Sequence, residues 1–338
     1  PTNTFAAALN LSRNPGINVA TLYTQSTTST AFAPALTQAP ADWTLFIRYT
    51  GGGMNSPTAL GIDSTGNVWV ASYFSVVSQF SPIGSPIFAN GITGGGLCDS
   101  YGLAIDAQNN VWATNEADTP RGCVNSVTVL SSSGQLISGT HGYTAGGFNY
   151  PTAIAIDTNA TAWVVNNGNS SVTLLSGTGQ PLSGAAGYTT PYFAFPIAVA
   201  IDASHNGWIA NPGNDTLTKV SPDGKQFTNY ACCNGPTGVA IDQGDNVWDA
   251  NYFGNSVSEL SSTGAVLSSG YTGGGLTNPQ GIAIDGSGNV WVASVLGPSI
   301  TKLAGATANS PGQILSPAAG FAPDANLLKA YAIAVAPS

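Results

Sequence analysis

The sequence of 338 residues predicts an all-β fold, a seven-bladed β-propeller of four-stranded blades. The first observation behind this prediction is a short hairpin pattern that recurs six times along the chain. The second is the spacing of its copies, 40 to 51 residues, which suits a propeller blade and lacks the 3.6-residue period of a helical repeat. The third is an incomplete copy at each end of the chain. Together the two ends supply one further blade.

The recurring hairpin is clearest at residues 281–293. Ile282 and Ile284 alternate with small residues, which is the period of two expected of a strand. Residues 285–289 read Asp-Gly-Ser-Gly-Asn and favour a tight turn, and residues 290–292 read Val-Trp-Val and predict the returning strand. The unit is therefore two adjacent antiparallel strands.

Every complete copy has an Asp at the turn and a Trp six residues later. We interpret the Asp as a structural turn residue, because each one precedes a Gly- or Asn-containing turn and can accept hydrogen bonds from the N–H groups of that turn. A ring of metal-binding carboxylates is the alternative. One Trp at the same position of each repeat predicts a packing role in the core between blades. The turn residues are Asp63, Asp106, Asp157, Asp202, Asp242 and Asp285, and the core residues are Trp69, Trp112, Trp163, Trp208, Trp248 and Trp291.

The remainder of each repeat predicts two more strands. Residues 299–303 read Ser-Ile-Thr-Lys-Leu and have matches at 126–130, 171–175 and 256–260. A Gly-bearing turn follows, and then a short fourth run such as residues 265–267. Four strands per blade result.

The two chain ends predict how the ring closes. Residues 3–7 align with 67–71, and residues 332–336 copy 281–285, one repeat further on. We therefore expect one domain over residues 1–338, in which 1–55 with 329–338 form the closing blade and 56–328 form six sequential blades. A six-bladed ring with free termini is the alternative. The C-terminal strand could also complete the ring of a neighbouring copy.

Four cysteines favour disulfides in a chain of secreted type. Cys98 lies in a connection between blades and Cys123 in a loop of the same repeat, so both belong to one face and are predicted to pair. Cys232 and Cys233 are adjacent, and either they pair with each other or each has a partner elsewhere. A zinc site is not expected, because no His neighbours them.

Composition excludes several classes of partner. Only 7% of residues are charged and the net charge is −9, so no basic patch exists for nucleic acid or an anionic membrane. No apolar run is long enough to insert into a membrane. The chain begins at Pro1, which we interpret as a secreted, extracellular chain whose signal peptide has been removed. So little charge fits acidic or harsh surroundings, or a surface that packs against copies of itself.

The hairpin Gly-Ile-Ala-Ile-Asp-x-x-Gly-Asn-Val-Trp-Val-Ala resembles the repeat of NHL-type β-propellers and of the virginiamycin B lyase family. The resemblance covers nearly the whole chain and implies a propeller. Such propellers include binding scaffolds, lactone hydrolases and lyases, and the lyases use His and acidic residues around a metal on the central face. None of those residues can be matched here, and His141 and His205 are the only histidines. We therefore predict no catalytic, cofactor-binding or metal-binding residue.

The sequence favours a non-enzymatic extracellular interaction or structural protein that assembles into a filament or layer. Its partners are expected to be copies of itself, another extracellular protein or a glycan. The loop 115–125 carries Glu116, Asp118 and Arg121 and marks the face where a partner is expected. The alternative function is a metal-dependent lyase or hydrolase acting on the central face.

Overall fold

A computed structural model describes residues 49–297, 299–321 and 329–336, all within the unit Tyr49–Ser338. The described residues form six antiparallel sheets and one short 3-10 helix, Thr119–Arg121. None of their helices is long and apolar enough to cross a membrane.

The first three sheets contain β1 (Pro57–Ile62), β2 (Val68–Ser72) and β3 (Val76–Phe80); β4 (Ser100–Ile105), β5 (Val111–Asn115) and β6 (Ser126–Leu130); and β7 (Pro151–Ile156), β8 (Ala162–Asn166), β9 (Ser171–Leu175) and β10 (Tyr188–Thr189). The next three contain β11 (Ala198–Ile201), β12 (Gly207–Asn211), β13 (Thr216–Val220) and β14 (Phe227–Ala231); β15 (Pro236–Ile241), β16 (Val247–Asn251), β17 (Ser256–Leu260) and β18 (Val266–Tyr271); and β19 (Pro279–Ile284), β20 (Val290–Ser294) and β21 (Ser299–Leu303).

Each sheet is one blade of a β-propeller, as the sequence predicted. The strands of a blade pair in chain order, and the first strand of every blade lines a central channel. Those innermost strands, β1, β4, β7, β11, β15 and β19, neighbour one another in that order. We number the six described blades in chain order. The count of seven stays a prediction, because residues 1–48 lie outside the described part.

The fourth strand is less regular than predicted. It is a ladder in the third, fourth and fifth blades, whereas in the other three it is reduced to isolated bridges such as Val77–Ile92 and Ile300–Phe321. Pro86 and Gly91 lie in the outer segment of the first blade, and both residue types weaken a strand ladder. The outer edge therefore depends on local sequence more than the inner hairpin does.

Small residues let the innermost strands approach each other closely. A Cβ atom on Gly238 would lie 2.3 Å from the carbonyl oxygen of Gln280, and one on Gly281 would lie 2.9 Å from Ala332 Cα. The segment 331–333 therefore lies beside β19, where a further innermost strand would be. Residues 329–336 are not assigned to a strand, and the predicted partner at 3–7 lies outside the described residues. The closing blade remains a prediction.

The repeated hairpin is held by a carboxylate at its turn. Asp63 accepts hydrogen bonds from the backbone N–H of Thr65 and Asn67, from both of their side chains, and from Trp69 Nε1 at 3.0 Å. These donors lower the pKa of Asp63 to about 2, against the opposing effect of burial, which is the largest single contribution and raises it. The turn thus fixes the indole ring as well as the backbone.

The core lies between blades. Trp69 packs against Val111 and Ala113 of the next blade, and the same arrangement recurs around the ring. Five of the six repeat tryptophans are almost fully buried, whereas Trp291 is half-buried and stacks on Phe321. The first five described blades therefore bury their indoles against the next blade.

Candidate functional site

The central channel is a cavity with a volume of about 1060 Å³. Its wall consists of the first halves of the innermost strands together with residues 329–333. In four blades a bulge after the first Pro, as between Pro57 and Ala59, shifts the register there. The second residues of the innermost segments line the channel, and they are Thr58, Tyr101, Thr152, Ile197, Thr237 and Gln280.

The described part of the channel wall carries few ionisable side chains. Among the described residues that line it, the ionisable side chains are Lys329 and three tyrosines, and none is a carboxylate or an imidazole. Most of the wall is Ala, Gly, Val, Leu and Ile. Such a surface suits binding of an apolar or neutral group more than proton transfer.

One end of the propeller collects exposed aromatic side chains, and we call it the aromatic face. It comprises the starts of the innermost strands, the loops between second and third strands, and the connections between blades. Backbone hydrogen bonds hold these parts together, as from Tyr73 N to Ser56 O and from Asn167 N to Tyr150 O. All exposed large aromatic residues of the described part lie here, with 38% to 65% of their surface accessible: Phe74, Tyr101, Tyr150, Tyr192, Phe195, Phe253 and Tyr331.

Two of these residues have a backbone conformation that bulky side chains rarely adopt. The φ angles of Tyr150 and Phe195 are 50° and 51°, in the left-handed region. Their N–H groups donate to side chains of the preceding blade, to Asn125 Oδ1 at 3.2 Å and Ser170 Oγ at 3.3 Å. The residue before the innermost strand has a positive φ in the other described blades as well, as at Ser56 and Asn278, so this conformation belongs to the connection itself. The fold therefore holds these rings toward solvent.

A charged cluster lies at one side of the same face. Arg121 forms ion pairs with Asp99 and Asp118, and its guanidinium lies 6.0 Å from the Phe74 ring centroid. Burial, followed by the negative charge of Glu116, raises the pKa of Tyr101 to about 12. Burial, followed by Asp99, also raises the pKa of Glu116. The loop that the sequence marked for a partner thus belongs to the aromatic face.

Both disulfides lie in connections at this end. Cys98 is bonded to Cys123, with 6.2 Å between their Cα atoms, which is the pairing predicted from their positions. Cys232 and Cys233 are bonded to each other, and they are half-buried beside the core cluster of Trp208. Disulfides are typical of proteins from oxidising compartments, so their presence supports an extracellular location.

The turn aspartates lie at the opposite end, which we call the turn end. The structure does not gather them: no group of three or more His, Cys, Asp and Glu residues that could hold a metal occurs in the described part. Each Asp serves its own hairpin, and in five blades it accepts the Trp Nε1–H at 2.8 to 3.1 Å. The constant spacing of six residues could have revealed this bond from the sequence.

Sequence reasoning missed a second repeated network. Three residues after the Trp comes an Asn, or a Ser in two blades, which is buried at the end of the second strand. Asn115, for example, donates to Thr128 Oγ1 at 2.9 Å and accepts from Cys98 N at 3.3 Å. The connection entering each blade is thereby tied to that blade, which positions the aromatic face.

Comparisons with known proteins support the fold. No protein-family model matches the chain, and no curated protein matches its sequence. Solved structures do match. Virginiamycin B lyase from Staphylococcus aureus, in a complex with quinupristin, has a TM-score of 0.61 at 15% identity, covering 77% of this chain and 85% of that one. The extracellular domain of a putative hybrid two-component system from B. thetaiotaomicron has a TM-score of 0.55 at 14% identity, covering 74% and 33%. A chain of a nidogen/laminin complex has a TM-score of 0.52 at 15% identity, covering 79% and 97%.

The described chain is thus a β-propeller whose first strands surround a channel and whose aromatic face surrounds the mouth of that channel. In fold it is a virginiamycin B lyase-like β-propeller. At such low identities the likeness concerns the fold alone.

Proposed function

We propose that this protein is a non-enzymatic, extracellular interaction propeller that assembles with copies of itself through the aromatic face. The observation that carries the proposal is the concentration of exposed Tyr and Phe side chains at that end. Exposed aromatic residues are enriched in protein interfaces and provide much of their binding energy. The mild chemistry of the channel wall agrees with a binding role.

Charge and symmetry favour a second copy as the partner. Only 7% of residues are charged, so little electrostatic repulsion opposes close packing of two copies. If the aromatic face of one copy contacts a different surface of the next, the contact is heterologous, and a filament results when the rotation between copies does not close a ring. The turn end offers exposed aliphatic side chains for this contact, among them Ile83 and Leu182.

Sedimentation and electron microscopy test the assembly. We expect the natural chain to form oligomers or filaments as its concentration rises. A double substitution, Phe195→Ser with Phe253→Ser, removes two rings that are 63% and 65% exposed, and we expect it to remain monomeric with an unchanged melting temperature.

The matched control is Val266→Ser on β18, an outer strand, where 46% of the side chain is exposed. This variant should assemble as the natural chain does. A natural chain that stays monomeric at high concentration and at both acidic and neutral pH would overturn the proposal.

A metal-dependent lyase or hydrolase is the second candidate, and the shared fold with virginiamycin B lyase favours it. Elemental analysis of the purified protein, with incubation of the chain with quinupristin, distinguishes the two. A stoichiometric divalent ion together with cleavage of the compound would establish the enzyme and displace the first proposal.

A further inference from the structure

A small cavity lies at the turn end, between the third and fourth blades. Its volume is about 160 Å³. It lies at the end opposite the aromatic face. Leu182 lines the cavity and also belongs to the turn-end surface invoked for the filament contact, so sugar binding is measured on the monomeric Phe195→Ser, Phe253→Ser variant as well. The residues that matter for its chemistry are Asp157, Asn159, Trp163, Leu182, His205 and Pro222.

The Nε1–H of Trp163 is a buried donor without a hydrogen-bond partner among the described residues. The side chain is fully buried and lines the cavity. In the other five described blades the same indole N–H is bonded to the turn Asp, as from Trp112 to Asp106 at 3.0 Å. Leaving such a group unpaired destabilises the folded state, so a compensating partner is favoured.

Two substitutions within the repeat account for the unpaired indole. Thr161 stands where the other blades have an Asn, whose side-chain amide donates to the turn carboxylate, as from Asn110 to Asp106 Oδ2 at 2.9 Å. Gly207 stands where the other described blades have Val or Ala against the indole, and a Cβ there would lie 2.6 Å from Trp163 Cζ3. The ring therefore occupies the space of a missing side chain.

Within its own turn, only one oxygen of the Asp157 carboxylate accepts hydrogen bonds. Its Oδ1 accepts from the N–H groups of Asn159 and Thr161, both at 2.8 Å. Its Oδ2 has neither the amide nor the indole donor that other blades supply, and the Nδ1 atom of His205 lies 3.5 Å from it. Only 5% of the Asp157 side chain is exposed. A buried acceptor and a buried donor thus face one cavity without bonding to each other.

The ligand that fits must accept from the indole and donate to the carboxylate. A hydroxyl group does both, whereas an ammonium group only donates. In the fourth blade an ammonium does occupy the corresponding place, with Lys219 Nζ 2.9 Å from Asp202 Oδ2, but Leu174 replaces that Lys here. One water needs only roughly 10–15 Å³ of such a cavity, so a larger molecule fits.

We propose that this cavity binds a neutral, hydroxyl-rich ligand, namely a single sugar unit of a glycan. One hydroxyl would bridge Trp163 Nε1 and Asp157 Oδ2, and the ring would extend past Asn159 and His205. The way in is open, since 32% of the His205 side chain and 53% of Leu182 are exposed.

The indole N–H resonances of ¹⁵N-labelled protein report on the site directly. We expect methyl glycosides of glucose, galactose or mannose to shift the Trp163 resonance in a saturable manner and to leave that of Trp112 unchanged. Asp157→Asn keeps the turn acceptor and Trp163→Phe removes the donor. Each should weaken binding by about tenfold or more.

The controls are the same changes in the second blade, Asp106→Asn and Trp112→Phe, and both should leave sugar binding unchanged. The proposal is overturned if no glycoside shifts the Trp163 resonance. It is also overturned if both third-blade variants bind sugar as the natural chain does, or if n-butylamine shifts the resonance and the glycosides do not. The Phe195→Ser, Phe253→Ser variant, which we expect to stay monomeric, should show the same shift of the Trp163 resonance with sugar. Failure of assembly and failure of this site are therefore distinguishable.

Discussion

The first and third blades have the same strands and the same turn, yet their polar groups are used differently. In the first blade Asp63 accepts five hydrogen bonds and Trp69 is satisfied. In the third blade Asp157 accepts two backbone bonds and the Trp163 indole has no partner among the described residues. The backbone of a blade therefore does not depend on the Asp–Trp bond. Packing between blades holds the hairpin, and the bond adds stability that one blade can lack.

Removing the turn carboxylate should give the largest difference in stability loss between the first and third blades. Asp63→Ala leaves the N–H groups of Asn67 and Trp69 unpaired in a buried place, so we expect the free energy of unfolding to fall by about 2–4 kcal/mol. Asp157→Ala removes fewer bonds and should cost about half as much. Calorimetric melting of both variants measures the difference. Equal losses would show that the three side-chain hydrogen bonds that Asp63 has and Asp157 lacks contribute nothing.

The fifth blade extends the comparison to a buried acid. Asp249 is fully buried, its carboxylate oxygens have no partners among the described residues, and the corresponding positions include Val70 and Val292. Burial raises the pKa of Asp249 well above its ordinary value of 3.8. We expect Asp249→Val to raise the free energy of unfolding by about 1–3 kcal/mol at neutral pH, because it removes an unsatisfied polar group.

The gain from Asp249→Val should depend on pH. The folded state keeps a proton on Asp249 that the unfolded chain releases above its ordinary pKa of 3.8, so the contribution of this residue to stability falls as pH rises from that value. Melting curves at pH 4 and pH 7 should therefore show a larger gain at pH 7. A gain that is the same at both, or a loss, would contradict a neutral buried acid.

The smallest expected effect isolates the indole hydrogen bond. Trp163→Phe and Trp112→Phe remove similar buried volume, but only the second breaks a bond to a turn carboxylate. We expect Trp112→Phe to cost about 1 kcal/mol more than Trp163→Phe. Urea unfolding followed by circular dichroism measures both. A larger loss for Trp163→Phe would mean that its ring packing differs from that of the other blades.

The sequence allowed the repeat, the inner hairpins and the Cys98–Cys123 bond to be predicted, because these depend on local spacing and strand order. The aromatic face could not be predicted, since Tyr150 and Phe195 occupy a repeat position whose residue type varies from blade to blade, and their side chains are exposed only through the conformation of the connections. The third-blade cavity could not be predicted from the sequence for a similar reason. His205 is conspicuous in the sequence, but the displacement of the Trp163 ring toward Gly207 is a matter of packing across two blades.

The Cys98–Cys123 disulfide also bears on how the aromatic face could recognise anything. It closes a loop of 25 residues that contains Asp99, Asp118 and Arg121, so the ion pairs form within a segment whose freedom is already reduced. The conformational entropy of that segment is lost during folding and not on contact with a partner. A loop ordered in advance binds its target more tightly than a flexible one with the same contacts, because less conformational entropy is lost on binding.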